Sequence, residues 1–186
     1  MSLVDCFLTW WLRSGRYQWS RFRRVLCERE YLSTVLPQVS SLQEIEDCLK
    51  QVTWTMDGPL HLYDCISYPQ ATWAKKKDDC DGFASVAAEL LNNWDTSCNP
   101  VLVTAIVRPV RASHTVCAFL APQGDIWFFD NYSLRRENCH TYDDVVSKII
   151  QPNHKLVCWD ARDPITLELR EFYKYGSKNS LQGKSA

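Results

Sequence analysis

The stretch KDDCDGFASVAAELLNNW, residues 77–94, carries the clearest structural signal in the sequence. Its apolar residues recur at steps of three and four, which predicts an amphipathic helix of about 14 residues that begins at Cys80. The residues that form this stripe are Phe83, Ala84, Ala87, Leu90, Leu91 and Trp94. Asp78 and Asp79 precede the helix and are suited to capping it, which places Cys80 in its first turn.

Cys80 differs from the other cysteines because of this position at the start of a helix. The helix macrodipole and the lysines at 75–77 favour a thiolate there, whereas the carboxylates of Asp79 and Asp81 oppose it. The unpaired amide groups of the first turn are also able to hold an oxyanion. Two interpretations follow: a nucleophile, or a buried structural cysteine, which is the commoner role of a cysteine considered alone.

The composition describes one ordered domain, with or without an appendage. The chain has 186 residues, of which 46% are hydrophobic and 23% charged, with a formal net charge of −1. These values argue against a disordered chain and against a dedicated nucleic-acid binder, which would be strongly basic. No apolar run approaches the roughly 20 residues that span a bilayer. The opening residues MSLVDC lack a basic region, which argues against a secretory signal and indicates a cytoplasmic protein.

Nine cysteines are present, and none forms a C-x-x-C pair. This spacing argues against a structural zinc site, and the odd total leaves at least one thiol unpaired. We expect most of them to be reduced, buried and apolar in their packing.

The first 35 residues interleave aromatic residues and arginines. Trp19, Phe22, Val25 and Leu26 follow helical spacing, while arginines occupy other positions of the same turns. One interpretation is an anchor for RNA or an anionic membrane through residues 13–24, which requires these arginines to share one exposed face. The favoured one is an amphipathic helix whose arginines lie along the edge of the core, because Glu28 and Glu30 interrupt the basic run.

Beyond Pro37, the pattern Ser41 to Glu44 predicts a capping box and a helix to about Val52, and a short strand over 52–56 is expected to follow. Asp57-Gly58-Pro59 predicts a loop, and Pro69 a short helical turn. Strands are expected at 101–107, 114–120, 126–130, 155–160 and 166–173, with a helix over 141–150. Helices followed by an antiparallel sheet define the α+β class. We divide the chain into an N-terminal helical extension (1–40), a catalytic domain (41–175) and a disordered tail (176–186).

His114 and Asp130 are expected to meet across a hairpin. His114 starts one predicted strand and Asp130 ends the next, so an even register places both on one face with Cβ atoms about 7–8 Å apart or less. A two-residue loop at Gln123-Gly124 breaks that parity, so a longer or bulged loop is predicted. In that arrangement Asp130 fixes the imidazole tautomer, and His114 takes the proton of the Cys80 thiol.

Four stretches resemble a known family. They are Tyr68-Pro69-Gln70-Ala71-Thr72-Trp73, then Lys77-Asp78-Asp79-Cys80-Asp81-Gly82-Phe83-Ala84, and the later Ser113-His114-Thr115-Val116 with Phe129-Asp130-Asn131. Together they resemble the transglutaminase-like superfamily, in particular the bacterial transglutaminase-like cysteine peptidases, over about residues 50–135. The chain departs from the family pattern at Asp78, where glycine is usual, and at Asp81-Gly82, which replaces Glu-Asp.

The resemblance implies a papain-like, transglutaminase-like fold with a Cys80–His114–Asp130 triad and no cofactor. It also implies that Gln70, Trp73 and Asn131 are candidates for oxyanion or substrate contacts. Some family members bind calcium through acids beside the nucleophile, where this chain has Asp79 and Asp81. Two carboxylates are too few for the six to eight oxygen ligands of calcium, so no metal is expected.

The implied activity is that of a thiol enzyme acting on an amide bond of a protein or peptide through a thioester. Water as the acceptor makes a peptidase or amidase, which we favour, and an amine makes a transglutaminase. The alternative is an inactive member of the same fold that serves as a binding or interaction module. The oligomeric state stays open.

Overall fold

Helices occupy the first half of the chain and strands most of the second, in a computed structural model that describes residues 3–56 and 65–175. The helices are α1 (Leu3–Trp10), α2 (Arg16–Cys27), α3 (Leu42–Leu49), α4 (Pro69–Lys75), α5 (Cys80–Trp94) and α6 (Tyr142–Ile149). A π-helical turn, Trp11–Gly15, joins α1 to α2, and 3₁₀ turns span Arg29–Ser33, Thr96–Cys98 and Val110–Ala112. The predicted loop at 57–59 and tail at 176–186 lie outside the described residues.

The strands form a small parallel pair and one large antiparallel sheet. The pair is β1 (Thr53–Trp54) with β2 (Lys77–Asp78). The sheet has six strands in the order β6-β5-β4-β3-β7-β8, and every neighbouring pair is antiparallel. Its strands are β3 (Val101–Arg108), β4 (His114–Leu120), β5 (Ile126–Asp130), β6 (Ser133–Cys139), β7 (Lys155–Arg162) and β8 (Leu169–Lys174).

Helix α5 lies on one face of the sheet and α6 on the other. Alternate residues of β3 divide between the two faces, so that Leu102 and Ile106 join the core with α5 while Val101 and Val103 join the core with α6. This division is the period-two alternation of a sheet covered on both sides. The predicted α+β class, with the cysteine-bearing helix packed on an antiparallel sheet, is confirmed.

The packing of α2 is the reverse of our expectation. Trp19, Phe22 and Leu26 are exposed, whereas Arg16 and Arg24 are buried. Burial of these arginines is tolerated because their guanidinium groups form hydrogen bonds in the protein interior. Arg24, for example, donates to the backbone carbonyl groups of residues 66 and 67. The arginines therefore do not share one exposed face, as an RNA or membrane anchor through them would require.

The helix caps agree with the sequence in one case and differ in the other. Thr141 and Asp144 form the complete capping box that opens α6. Ser41 caps α3 by accepting the amide of Glu44, but the carboxylate of Glu44 accepts from Ser40 instead of Ser41. The predicted hydrogen bond of the Ser41 side chain is therefore confirmed. The predicted return bond to the Glu44 carboxylate is wrong by one residue, because its donor is Ser40.

The nine cysteines are free thiols, and six of them are buried. Cys6 and Cys27 are exposed, and Cys80 is half-buried. Within the described residues, no helix combines the length and the apolar character that a bilayer crossing needs. The division of the chain at residue 40 stays a prediction.

Candidate active site

Cys80 is the first residue of α5. Asp79 is the N-cap, and its carboxylate accepts the amide of Asp81 at 3.2 Å. This capping holds the first turn in place and directs its amide groups toward the half-buried Cys80 end of the helix. The predicted helix start is confirmed.

His114 begins β4 and Asp130 ends β5, and the hairpin between the strands has an even register. Leu120 pairs with Ile126, and the pairing continues unshifted to Cys117 with Phe129. The turn closes through the Gly124 amide, which donates to the Ala121 carbonyl at 2.9 Å. Gly124 adopts a φ of 95°, a left-handed conformation that glycine accepts without strain. The predicted longer loop and common face are confirmed.

The side chains of His114 and Asp130 are in direct contact. Nε2 of the imidazole lies 2.8 Å from Oδ1 of the carboxylate. The two side chains are 24% and 29% exposed, so the pair is half-buried at the protein surface. The side chain of Cys80 lies close enough to the imidazole to raise the pKa of His114. The structure thus brings together the three side chains that the sequence singled out.

The electrostatics of this group favour a charged imidazole. Burial on its own would lower the pKa of His114, but hydrogen bonds with Asp130 and Cys80 and the negative charge of both outweigh burial and raise the pKa to about 10. In return, the hydrogen bond from His114 holds the pKa of Asp130 below its usual value, against the effect of burial. The imidazolium is therefore the favoured form of His114 near neutral pH, with the Asp130 carboxylate beside it.

The remaining candidates occupy less decisive positions. Trp73 packs against the core beside α5, and Nζ of Lys76 lies 2.7 Å from the centre of its ring. Gln70, in the first turn of α4, is half-buried. Asn131 follows Asp130 in the turn to β6 with a φ of 51°, and its buried Oδ1 has no hydrogen-bond partner within the described part of the chain. All three stay candidates for substrate contacts.

Three aspartates surround Cys80 in a buried cluster, which the sequence analysis only partly anticipated. Oxygen atoms of Asp78, Asp79 and Asp81 lie within 4.8 Å of one another, and all three residues are buried. Arg16 of α2 donates through Nη2 to Oδ2 of Asp81 at 2.6 Å. Sequence reasoning missed Arg16 because it lies 65 positions from its partner, and its neighbours indicate an ordinary amphipathic helix.

Gly82 makes room for this cluster. A Cβ atom on Gly82 would lie 2.2 Å from Cγ of Asp78, far inside contact distance. Asp78 is held there because its carboxylate accepts from the Thr72 hydroxyl and from the Asp79 amide. The departures from the family pattern at Asp78 and Gly82 are therefore a matched pair, a signal that the sequence did contain.

The three carboxylates lie close enough together to hold a metal ion, but with one ligand atom from each they supply fewer oxygens than calcium usually takes. Calcium takes six to eight oxygen ligands, whereas the carboxylates here accept hydrogen bonds from protein groups, and the Arg16 guanidinium already supplies a buried positive charge. Asp79 and Asp81 accept hydrogen bonds from protein groups in this structure, and the absence of a metal there stays a prediction.

No family model matches the chain, and no curated protein matches it. Three solved structures of LapG from Legionella pneumophila are similar to it. The first is 17% identical with a TM-score of 0.44, over 63% of this chain and 62% of that one. A calcium-bound LapG is 15% identical with a TM-score of 0.47, over 75% and 71%. An EGTA-treated LapG is 15% identical with a TM-score of 0.44, over 64% and 63%. The chain thus spans less than two thirds of LapG in the first and third of these structures.

Proposed function

We propose that this protein is a thiol hydrolase that cleaves an amide bond of a peptide or protein, with Cys80 as the nucleophile, His114 as the acid and base, and Asp130 as the orienting group. The observation that carries the proposal is the 2.8 Å contact between His114 and Asp130, with Cys80 on the same imidazole. The helix N-terminus at Cys80 supplies amide groups for an oxyanion. The order of the three residues along the chain is the one that the transglutaminase-like resemblance implies.

The reaction begins with the Cys80 sulfur adding to the carbonyl carbon of the substrate amide. His114, as imidazolium, gives its proton to the nitrogen as the carbon–nitrogen bond breaks, so an amine leaves and a thioester on Cys80 remains. His114, now neutral, takes a proton from water, which attacks the thioester. A carboxylic acid leaves, and the sulfur and imidazole return to their starting charges. Asp130 holds the ring and stabilises its charged form throughout.

Acyl transfer to an amine uses the same thioester and is the second outcome of this chemistry. An inactive binding module is the alternative from another class. It predicts a Cys80 that is sealed from solvent or distant from His114. The partial exposure of Cys80 and its proximity to His114 support the enzyme instead.

The test measures iodoacetamide labelling of each cysteine by peptide mass mapping. Cys6 and Cys27 are the internal controls because they are more exposed than Cys80 and lie outside the site. If Cys80 is an activated nucleophile, it is labelled before Cys6 and Cys27, although both of these are more exposed. Labelling of Cys80 no faster than Cys27 would contradict the proposal. Peptide hydrolysis by the wild type, compared with Cys80→Ala, then separates an enzyme from an inactive relative.

A further inference from the structure

The three aspartates at the start of α5 pose an electrostatic problem. Asp78, Asp79 and Asp81 are 6%, 2% and 0% exposed, so their charges have little access to water. Buried carboxylates that crowd together repel one another and resist ionisation unless a cation or hydrogen-bond donors compensate them. Without compensation, this repulsion would act on the residues on both sides of Cys80.

Arg16 supplies a compensating charge from a distant part of the chain. Its side chain is 2% exposed, and it contacts Asp81 through Nη2. Its second terminal nitrogen, Nη1, donates to the hydroxyl of Thr104 on β3 at 3.2 Å. The planar guanidinium therefore joins α5 to the sheet with a fixed geometry that one ammonium group does not reproduce.

The contact with Thr104 continues to the histidine strand. Thr104 pairs with Thr115 in the register of β3 and β4, and the two hydroxyl oxygens are 3.0 Å apart. Thr115 directly follows His114. Arg16 thus connects Asp81, the residue after the nucleophile, through Thr104 to Thr115, the residue after the histidine.

We propose that Arg16 is a positioning residue that partly neutralises the Asp78–Asp79–Asp81 cluster through Asp81 and sets the start of α5 against the histidine strand without a metal ion. This inference rests on the proposed function, since it assigns Arg16 a role in placing Cys80 against His114. It also makes the N-terminal helix part of the working site.

The test compares Arg16→Met and Arg16→Lys with Arg162→Met as the matched control. Arg162 is also a buried cation that holds the N-terminal segment: it pairs with Asp160 at 2.7 Å and donates to the carbonyl group of Arg13 at 2.7 Å. Both methionine variants therefore lose a buried charge and an anchor, but only Arg16→Met removes the charge next to Asp81. Cys80 alkylation and melting temperature are measured for each variant, with calcium chloride or with EDTA.

Arg16→Met is expected to slow the alkylation of Cys80 about tenfold or more, because small displacements of reacting groups have large effects on rate. Arg16→Lys restores only part of that rate, because it keeps the charge but does not reproduce the simultaneous contacts with Asp81 and Thr104. Arg162→Met lowers the melting temperature and leaves the rate unchanged. Calcium raises the melting temperature of Arg16→Met, since the three carboxylates then lack their arginine, and the wild type does not respond.

Several results would overturn the proposal. A folded Arg16→Met with the wild-type rate at Cys80 removes the positioning role, and an equal loss of rate in Arg162→Met reduces Arg16 to a general anchor. Stabilisation of the wild type by calcium shows that the cluster takes a metal beside Arg16. If Arg16→Met does not fold, the double variant Arg16→Met/Asp81→Asn decides: it folds if charge neutralisation is the role of Arg16, and its failure to fold contradicts that role.

These measurements also distinguish a failure of this inference from a failure of the proposed function. A wild-type Cys80 that reacts no faster than Cys27 refutes the nucleophile and, with it, the positioning of Cys80. The calcium response and the double variant report on neutralisation of the cluster independently of any activity.

Discussion

Gly82→Ala tests whether the space beside Asp78 is required. In an ordinary helix interior this substitution stabilises by about 1 kcal/mol, because alanine loses less backbone entropy than glycine. Here the new Cβ would lie 2.2 Å from Cγ of Asp78 and 2.4 Å from its Cβ. Overpacking costs about 1–3 kcal/mol, and displacing Asp78 from its buried hydrogen bonds costs about as much again. The net expectation is a loss of about 3 kcal/mol, opposite in sign to the helix propensity.

Urea denaturation followed by circular dichroism measures the free energy of unfolding of this variant, with Ser85→Ala as the matched control. Ser85 lies one turn further along α5, and its buried hydroxyl has no hydrogen-bond partner in the described part of the chain. Ser85→Ala is therefore expected to be neutral or to stabilise by about 0.5 kcal/mol. A Gly82→Ala variant as stable as the wild type would refute the reasoning about Asp78.

Three further outcomes follow from the titration of buried groups. His114 has its pKa raised to about 10, so the folded protein keeps a proton that the unfolded chain releases above about pH 6.5. The free energy of unfolding then falls by up to about 1.4 kcal/mol per pH unit between pH 7 and 8.5. Urea titrations across that range test this, and a His114→Gln variant with an undiminished slope contradicts it. Asp130→Asn lowers the pKa of His114 by about 1–3 units, measured by NMR of its ring, and an unmoved titration means that the carboxylate is not the cause. Burial raises the pKa of Cys117, so its alkylation is expected only under unfolding conditions, and labelling in the native state counts against its burial.

Local patterns in the sequence predicted the elements that position the site. The three- and four-residue steps after Cys80 gave α5, since a helix that packs one face on a core must repeat in that way. The even register of the hairpin predicted that His114 and Asp130 share one face, because side chains alternate along a strand and the loop length sets the register. Both predictions use only residues within one helix or one hairpin.

Interactions between distant residues escaped the same reasoning. The exposed Trp19 and Phe22 and the buried Arg16 reverse the expected packing of α2. Hydrophobic periodicity alone ranks arginine as a surface residue, and it contains no information about the anion 65 positions away that makes burial favourable. The sequence likewise marked Asp78 as a cap and as an unusual residue at its position, but its contact with Gly82 appears only in the folded chain.

The proposed chemistry depends most directly on whether His114 activates Cys80. The decisive measurement is the ratio of iodoacetamide labelling rates at Cys80 and Cys27, determined in the same digest for the wild type and for His114→Ala. We predict that the ratio falls about tenfold or more when the imidazole is removed, while circular dichroism shows an intact fold. An unchanged ratio in a folded His114→Ala variant would mean that the three side chains meet in space without forming a reaction centre.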